Sequence, residues 1–353
     1  MLTKKRYSLK EMVMWTRWET SLFIGFATVV TVLYNVFGLT FLQVPWTPVA
    51  LVGTALAFMI GFQNNSAYGR IWEARKIWGG IVNTSRSWGM KTKDMITNEY
   101  AEVKVSEEEL YEYKKQFIYR HIAWITALRH SMRQTRSWEV FEEHSTNKEW
   151  ADMMHIPEKE ISLKDDLLTY LSEEELSYVI NKNNVPAAIL FIQSKNLRGL
   201  KEAGLIWEFS FLELENLLES MFEFQGKSER IKNFPYPRQY ATLGHIFVWI
   251  FLILIPFGIV PEFAKIGSGM METHPIVAPY FVWLGIPFCT IVSWVFHTME
   301  RIGRVGENPF EGSANDVPIS TISRGIEIDL RQLLDEDKET IPKQFPEQYH
   351  VQM

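Results

Sequence analysis

Between Glu19 and Arg70 the sequence contains no Asp, Glu, Lys, Arg or His. An uncharged run of about 50 residues is long enough for two membrane spans of about 20 residues each. Gln43-Val-Pro-Trp-Thr-Pro48 lies in its middle and supplies a turn. A second pair of apolar segments follows, about 23 residues free of Asp, Glu, Lys and Arg from Gln239 to Pro261 and about 27 from Thr273 to Met299. The average hides this segregation: with 22% charged residues and a mean hydropathy near zero the chain as a whole resembles a soluble protein. The expectation is an all-α membrane protein with four transmembrane helices.

Basic residues set the orientation. Lys4, Lys5, Arg6, Lys10 and Arg17 precede the first span, Arg70, Arg75, Lys76 and Arg86 follow the second, Lys232 and Arg238 precede the third, and Arg301 and Arg304 follow the fourth. The connection from Gln43 to Pro48 has no basic residue, and Glu262 to His274 has only Lys265. The positive-inside rule places both termini and the central region in the cytoplasm, as expected for a multi-pass protein of the cell (inner) membrane. The apolar segment from Ser21 to Leu42 is too long for the core of a signal peptide, so it reads as a retained span. A formal charge of −6, spread through the polar parts, argues against nucleic-acid binding. The single cysteine, Cys289, forms neither an internal disulfide nor a metal site.

The second span, from Trp46 to Arg70, carries two stripes at a spacing of four. Gly53, Ala57 and Gly61 are small, while Thr54, Phe58 and Phe62 beside them are bulkier. Small residues at that spacing let helices approach closely in a membrane, and a phenylalanine row lines a constriction when several copies surround an axis. The other reading, which this stretch taken alone favours, is that the small stripe packs on the chain's own neighbouring helix and the phenylalanines face lipid.

Five segments follow: a cytoplasmic N-terminal segment 1–19, transmembrane helices 1 and 2 over 20–69, a helical cytoplasmic region 70–238, transmembrane helices 3 and 4 over 239–299, and a cytoplasmic C-terminal segment 300–353. Beyond Arg70 the helical period persists through Ile71, Trp72, Ile77, Trp78, Ile81 and Val82, so the second span is expected to continue as a helix. Ser106-Glu-Glu-Glu109 and Ser172-Glu-Glu-Glu175 read as capping boxes opening further helices. The stretch from about Arg136 to Lys164, broken by Pro157, reads as a surface excursion. Helical spacing from Val185 through Phe222 is expected to run to Gly226, before Pro235-Tyr-Pro237 turns the chain. A short amphipathic helix on Ile322, Ile326, Ile328 and Leu330 follows Pro318, and the last residues read as a tail ordered only if something holds it.

His121, His130, His144 and His155 lack a carboxylate at ligand spacing and read as surface or satisfied core residues. His245 and His297 lie within or at the edge of spans, as functional groups or as hydrogen bonds between helices. Glu307, Glu311 and Asp316 offer oxygen ligands, but their spacing lacks the order of a calcium loop and suits capping and turns. No constellation of nucleophile, base or metal ligands suggests an enzyme.

The strings GFQNNSAYGRIWEARKIWG from Gly61 to Gly79, LKEAG from Leu200 to Gly204, the Pro-x-Pro before the third span and ENPFEGSANDVPIS from Glu307 to Ser320 resemble the bestrophin family, in its bacterial branch. The likeness runs in order from about residue 8 to 335. It implies a homopentameric channel with one pore on the five-fold axis, in contact with the lipid bilayer and with small monovalent ions. By motif position Thr54, Phe58 and Phe62 fall on the family's neck, and Phe209, or Trp207 if the register shifts by two, on its cytoplasmic aperture. Two departures stand out. Thr54 is polar where the family usually has a branched apolar residue, and Glu311-Gly-Ser-Ala-Asn-Asp316 lacks the acidic run with which animal members clasp calcium. No cofactor or metal dependence is expected. Chloride is the first expectation for the permeant ion; the alternatives are a cation-selective channel on the same scaffold and a non-channel membrane transporter or sensor.

Overall fold

The computed structural model describes all residues, 1–353, and its regular elements are helices without a β-strand. In chain order these are α1 (Leu9–Trp15), α2 (Arg17–Asn35), α3 (Trp46–Met95), α4 (Glu107–Arg133), α5 (Ser145–Met153), α6 (Pro157–Glu160) and α7 (Leu163–Leu167). They continue as α8 (Glu173–Ile180), α9 (Val185–Glu202), α10 (Glu208–Asn233), α11 (Arg238–Gly269), α12 (Gly285–Val305) and α13 (Ile319–Leu333). The capping boxes expected at Ser106 and Ser172 are present, and a third joins Ser8 to Glu11 ahead of α1. In each, the serine oxygen accepts the N3 amide and the glutamate accepts the cap amide, so two otherwise free donors are satisfied reciprocally.

Two hydrophobic cores organise the chain. In the first, α2, the front half of α3, α11 and α12 pack around Phe23, Ala27, Val49, Leu56, Ile60, Phe251, Ile255 and Cys289. Three helical stretches there are long and apolar enough to cross a membrane: the front of α3, α11, and the segment from Ala278 to Val305. The first expected span is shorter than the sequence suggests. Its helix ends at Asn35 rather than Leu42, because Gly38 (φ +67°) and a 3₁₀ turn at Thr40–Leu42 reverse the chain. Of the four spans expected, α2 is the one not among these three: its charge-free part, from Thr20 to Asn35, rises about 24 Å against the roughly 30 Å of a hydrocarbon core. The fourth span also starts later, with turns and a 3₁₀ segment over Ala278–Leu284 before α12. Pro256 and Pro261 lie inside α11, where each removes an intrahelical hydrogen bond.

The second core has 38 buried residues and is built around α4. From Phe117 to Met132 this helix is buried on almost every side, enclosed by α3, α9, α10 and α13. A helix enclosed in this way must satisfy its polar groups internally. Trp124 Nε1 donates to Gln225 Oε1 (3.0 Å), Gln193 Nε2 to the Phe117 carbonyl (2.7 Å), and Arg129 to Glu158 and Asp166.

Two sequence expectations are corrected here. The helix expected from Val185 to Gly226 is two helices: Gly204 (φ +71°) ends α9, Trp207 starts α10, and Gly226 lies inside α10, which stops at Asn233. The stretch from Arg136 to Lys164 lies mostly at the surface, as expected, but it folds into α5 and α6 and buries Thr146 and Asn147, each 1% exposed. They are buried because Arg301, itself 1% exposed, needs acceptors: it donates to both side chains and to the Trp15 carbonyl (3.0 Å). What holds the tail is the chain's other end. Leu2 bridges to Val351, and Val351 and Met353 pack with Ile156 and Ala314.

Gly204 fixes the junction between α9 and α10. A Cβ there would stand 2.7 Å from the Tyr100 carbonyl oxygen and 3.0 Å from Ala101 Cα, both backbone, on top of the unfavourable φ. Gly204→Ala is expected to destabilise the protein by about 2 kcal/mol or more. Gly199→Ala, in open space within α9, should be neutral or stabilising by about 1 kcal/mol. Thermal melts followed by tryptophan fluorescence would separate the two, and equal melting points would contradict this account of the turn.

Candidate functional site

α3 carries the expected site, and its two faces differ. Val49, Gly53, Leu56, Ile60 and Gln63 are buried against α11 and α12. Gly53 is there for closeness, since a Cβ would sit 2.7 Å from the Phe251 ring. On the opposite face Thr54 is exposed, with Phe58 at 66% and Phe62 at 69% exposure. The small stripe is therefore divided: Gly53 packs within the chain, while Ala57 and Gly61 join the uncovered face, and a Cβ on Gly61 would meet nothing within 4 Å. The uncovered line continues at helical spacing through Asn65, Gly69, Trp72, Lys76, Asn83 and Met90.

The polar string after Phe62 works on both faces. Gln63 Nε2 donates to Glu307 Oε1 (3.0 Å), Asn64 Nδ2 to the Met299 carbonyl (3.0 Å), and Arg70 to the carbonyls of Glu307 (2.6 Å) and Ile231 (3.0 Å). These three side chains bind α3 to the end of α12, the loop behind it and the end of α10. Asn65 is instead exposed beside Phe62, and the exposed Ser66 meets the Tyr236 side chain. Pattern alone gave no hint of this division, because the acceptors come from residues more than 150 positions away.

Phe209 lies at the other end of α3. Trp207 caps α10, its ring stacks on Tyr100 (5.9 Å) and meets Phe209 at 4.7 Å, and the Leu205 carbonyl accepts from Thr97 N just beyond α3. Phe209 is 61% exposed and Trp207 is also exposed. With about 1.5 Å per residue, the end of α3 stands roughly 55 Å from Phe58. The structure thus leaves Thr54, Phe58 and Phe62 together on one face and Phe209 remote from them.

The histidines find carboxylates that sequence spacing did not reveal. His130 Nε2 is 3.0 Å from Asp166, His144 Nδ1 3.4 Å from Glu19, and His155 Nδ1 2.7 Å from Glu160. His245 Nδ1 lies 3.1 Å from Glu300, and its Nε2 accepts from Trp249 Nε1 (3.1 Å). Arg304 Nη1 also lies 3.2 Å from His245 Nδ1, so that nitrogen sits between a carboxylate and a guanidinium. His121 differs: it is buried between Trp88 and Trp124 with neither ring nitrogen bonded, and burial pulls its pKa down to about 3.

In the loop between α12 and α13, Asp316 accepts from Gly312 N (2.7 Å), Ser313 N (2.9 Å) and Ser313 Oγ (2.6 Å), closing the turn from its C-terminal side. Glu311 Oε1 accepts from Asn308 (2.8 Å) and Val140 N (3.1 Å), while Oε2 is buried without a partner. Burial, reinforced by the nearby Asp316 and Glu139 carboxylates, pushes the Glu311 carboxyl up to about 8.

A family model described as bacterial/fungal bestrophin protein matches residues 8–332. Among similar sequences, the voltage-dependent anion channel-forming protein YneE of Escherichia coli K12 is 25% identical over 338 residues, covering 95% of this chain and 92% of that protein. The voltage-dependent anion channel-forming protein RSc3414 of Ralstonia nicotianae is 28% identical over 290 residues, 82% of this chain and 78% of that one. A crystal structure of a bacterial bestrophin homolog from Klebsiella pneumoniae has a TM-score of 0.67 at 19% identity, covering 91% of this chain and 98% of that one.

The state of Glu311 makes a pH prediction. Unfolded, its carboxyl ionises in the ordinary range near 4.5; folded, it holds its proton up to about 8. Between those values the folded state binds more protons, so stability falls as pH rises through the window and levels off above it. Melting temperatures of wild type and Glu311→Gln, taken from pH 5 to about 9, should converge at the acid end and separate at the alkaline end, the variant melting higher. Parallel curves would contradict this assignment.

Proposed function

Because this chain belongs to the bacterial and fungal bestrophin family, we propose that it assembles as a homopentamer and conducts small monovalent ions, anions in preference, through a neck of Thr54, Phe58 and Phe62. The observation that carries the reading is the uncovered face of α3. A face turned to lipid needs to be apolar only over the membrane thickness, about 20 residues of helix. This one continues along the rest of a 50-residue helix, with Trp72 and Met90 exposed well beyond that length. Neighbouring copies around an axis would cover those side chains and bring the phenylalanine rows together. Residues 20–69 and 239–299 then cross the inner membrane, with 1–19, 70–238 and 300–353 on the cytoplasmic side, as the basic flanks favour.

In such an assembly Phe58 and Phe62 supply two successive aromatic levels, while Ala57 and Gly61 leave room for neighbouring helices to approach. A dry constriction of this kind gates by dewetting or by small helix movements. Thr54, whose hydroxyl is engaged by the Ala50 carbonyl (2.9 Å), weakens the seal at the outermost level. Phe209, or Trp207 beside it, makes a second constriction roughly 55 Å further along. Aromatic edges are electropositive and faces electronegative, so rings presented edge-on favour anions.

The name of the YneE relatives supports the anion preference. One observation favours cations: the exposed side of α10 that bears Phe209 also bears Glu213, Glu219 and Glu223. Two of these are paired, Glu213 with Lys91 and Glu223 with Lys227, which weakens that field.

Reversal potentials in planar bilayers under a salt gradient test the proposal. The wild type should reverse toward the chloride equilibrium potential, and Phe58→Ala and Phe62→Ala should raise conductance several-fold. Reversal toward the cation value would overturn the choice of ion. A solubilised particle with the mass of one chain, or no current from a five-chain particle, would overturn the channel.

A further inference from the structure

The N-terminal helix presents a surface that the pore does not use. One side of α1 is held by the chain: Met12 and Trp15 are half-buried, Trp15 Nε1 donates to Asn147 (2.7 Å), and the Arg301 guanidinium stacks 4.2 Å over the Trp15 ring. The junction to α2 is fixed as well, since Thr16 is buried and accepts from Trp294 Nε1 (2.9 Å). That docking aims the other side outward, where Leu9 is 78% exposed and Val13 and Met14 are exposed, followed by Trp18 at the start of α2.

Cations flank these apolar side chains in sequence. Lys4 and Arg17 are engaged by Glu11 and Glu149. Lys5, Arg6 and Lys10 are exposed and have no carboxylate partner. Exposed apolar groups with free cations beside them in sequence, on a helix running directly into an apolar span, suit one surface: the headgroup boundary of a leaflet rich in anionic phospholipid. Apolar side chains insert below the phosphates, lysine and arginine reach up to them, and a tryptophan sits at the interface.

We propose that α1 is an interfacial anchor, with Leu9, Val13, Met14 and Trp18 inserted in the inner leaflet and Lys5, Arg6 and Lys10 binding the phosphates of anionic lipids. The proposal rests on reading α2 and α12 as membrane spans, and the test separates the two claims.

The test places an environment-sensitive fluorophore on Val13→Cys in the full-length protein in lipid nanodiscs, with Leu9→Cys as a second site should the first fail to fold. Native Cys289 is buried, and unlabelled wild type verifies that it does not react. A probe on Ile291→Cys, exposed on α12, reports whether that helix is in the bilayer at all. The expected result is a blue-shifted Val13 probe quenched by lipids brominated near the headgroup, with quenching several-fold stronger when phosphatidylglycerol replaces part of the phosphatidylcholine. Lys5→Gln, Arg6→Gln and Lys10→Gln together should abolish that dependence.

An unquenched Ile291 probe would overturn the membrane reading itself. With Ile291 quenched, a water-exposed Val13 probe overturns the anchor. A blue-shifted but unquenched Val13 probe also overturns it, by showing that a neighbouring chain covers the face. Equal quenching in both lipids, unaffected by the charge removal, overturns the anionic preference.

Discussion

The rest of the structure depends on the continuity of α3. One 50-residue helix contributes Val49, Leu56 and Ile60 to the membrane-side core and Ala74, Ile77, Trp78, Ile81 and Trp88 to the second core. No loop separates the two cores along this helix, so a rotation or tilt at one end is carried to the other without a hinge. Close packing of rigid side chains transmits such movement rather than absorbing it. The same continuity carries the uncovered face from Thr54 to Met90, interrupted at Gly80 where the Phe224 ring covers the helix.

Buried polar groups lock this helix to its neighbours where the two cores meet. Gln63, Asn64 and Arg70 reach the end of α12 and the loop after it, while Arg301 ties α12 to the α1–α2 junction and to α5. An unpaired guanidinium at 1% exposure would be costly, and losing its partners would destabilise by about 3–5 kcal/mol. That requirement explains why Thr146 and Asn147, in a stretch polar in composition and otherwise exposed, are buried. It also explains how α1 is positioned: the Trp15 carbonyl and ring both serve Arg301.

Much of the fold was legible in the sequence because the signals were local. The uncharged run marked the apolar segments, the Ser-x-x-Glu strings marked helix starts, and the period through Ile71 and Trp78 carried α3 past Arg70. What was missed depended on distant partners or on one backbone angle. The break at Gly204 is hidden in a pattern that stays apolar on both sides of it. Carboxylates for His130 and His245 come from Asp166 and Glu300, which no local spacing reveals. For the site, the sequence stripe selected the residues of the uncovered face, but which small residues pack inside the chain and which remain free required the position of Phe251.

The central claim is that this uncovered face of α3 lines an aqueous path for ions. Phe62→Cys, reconstituted in a planar bilayer and exposed to a water-soluble thiol reagent during recording, tests it most directly, because Cys289 is buried and out of reach. The account predicts that a bulky reagent progressively and irreversibly suppresses the current of the variant and leaves the wild type unaffected. Full modification of the introduced thiol with unchanged current, or failure of the reagent to reach it in a conducting protein, would contradict the claim.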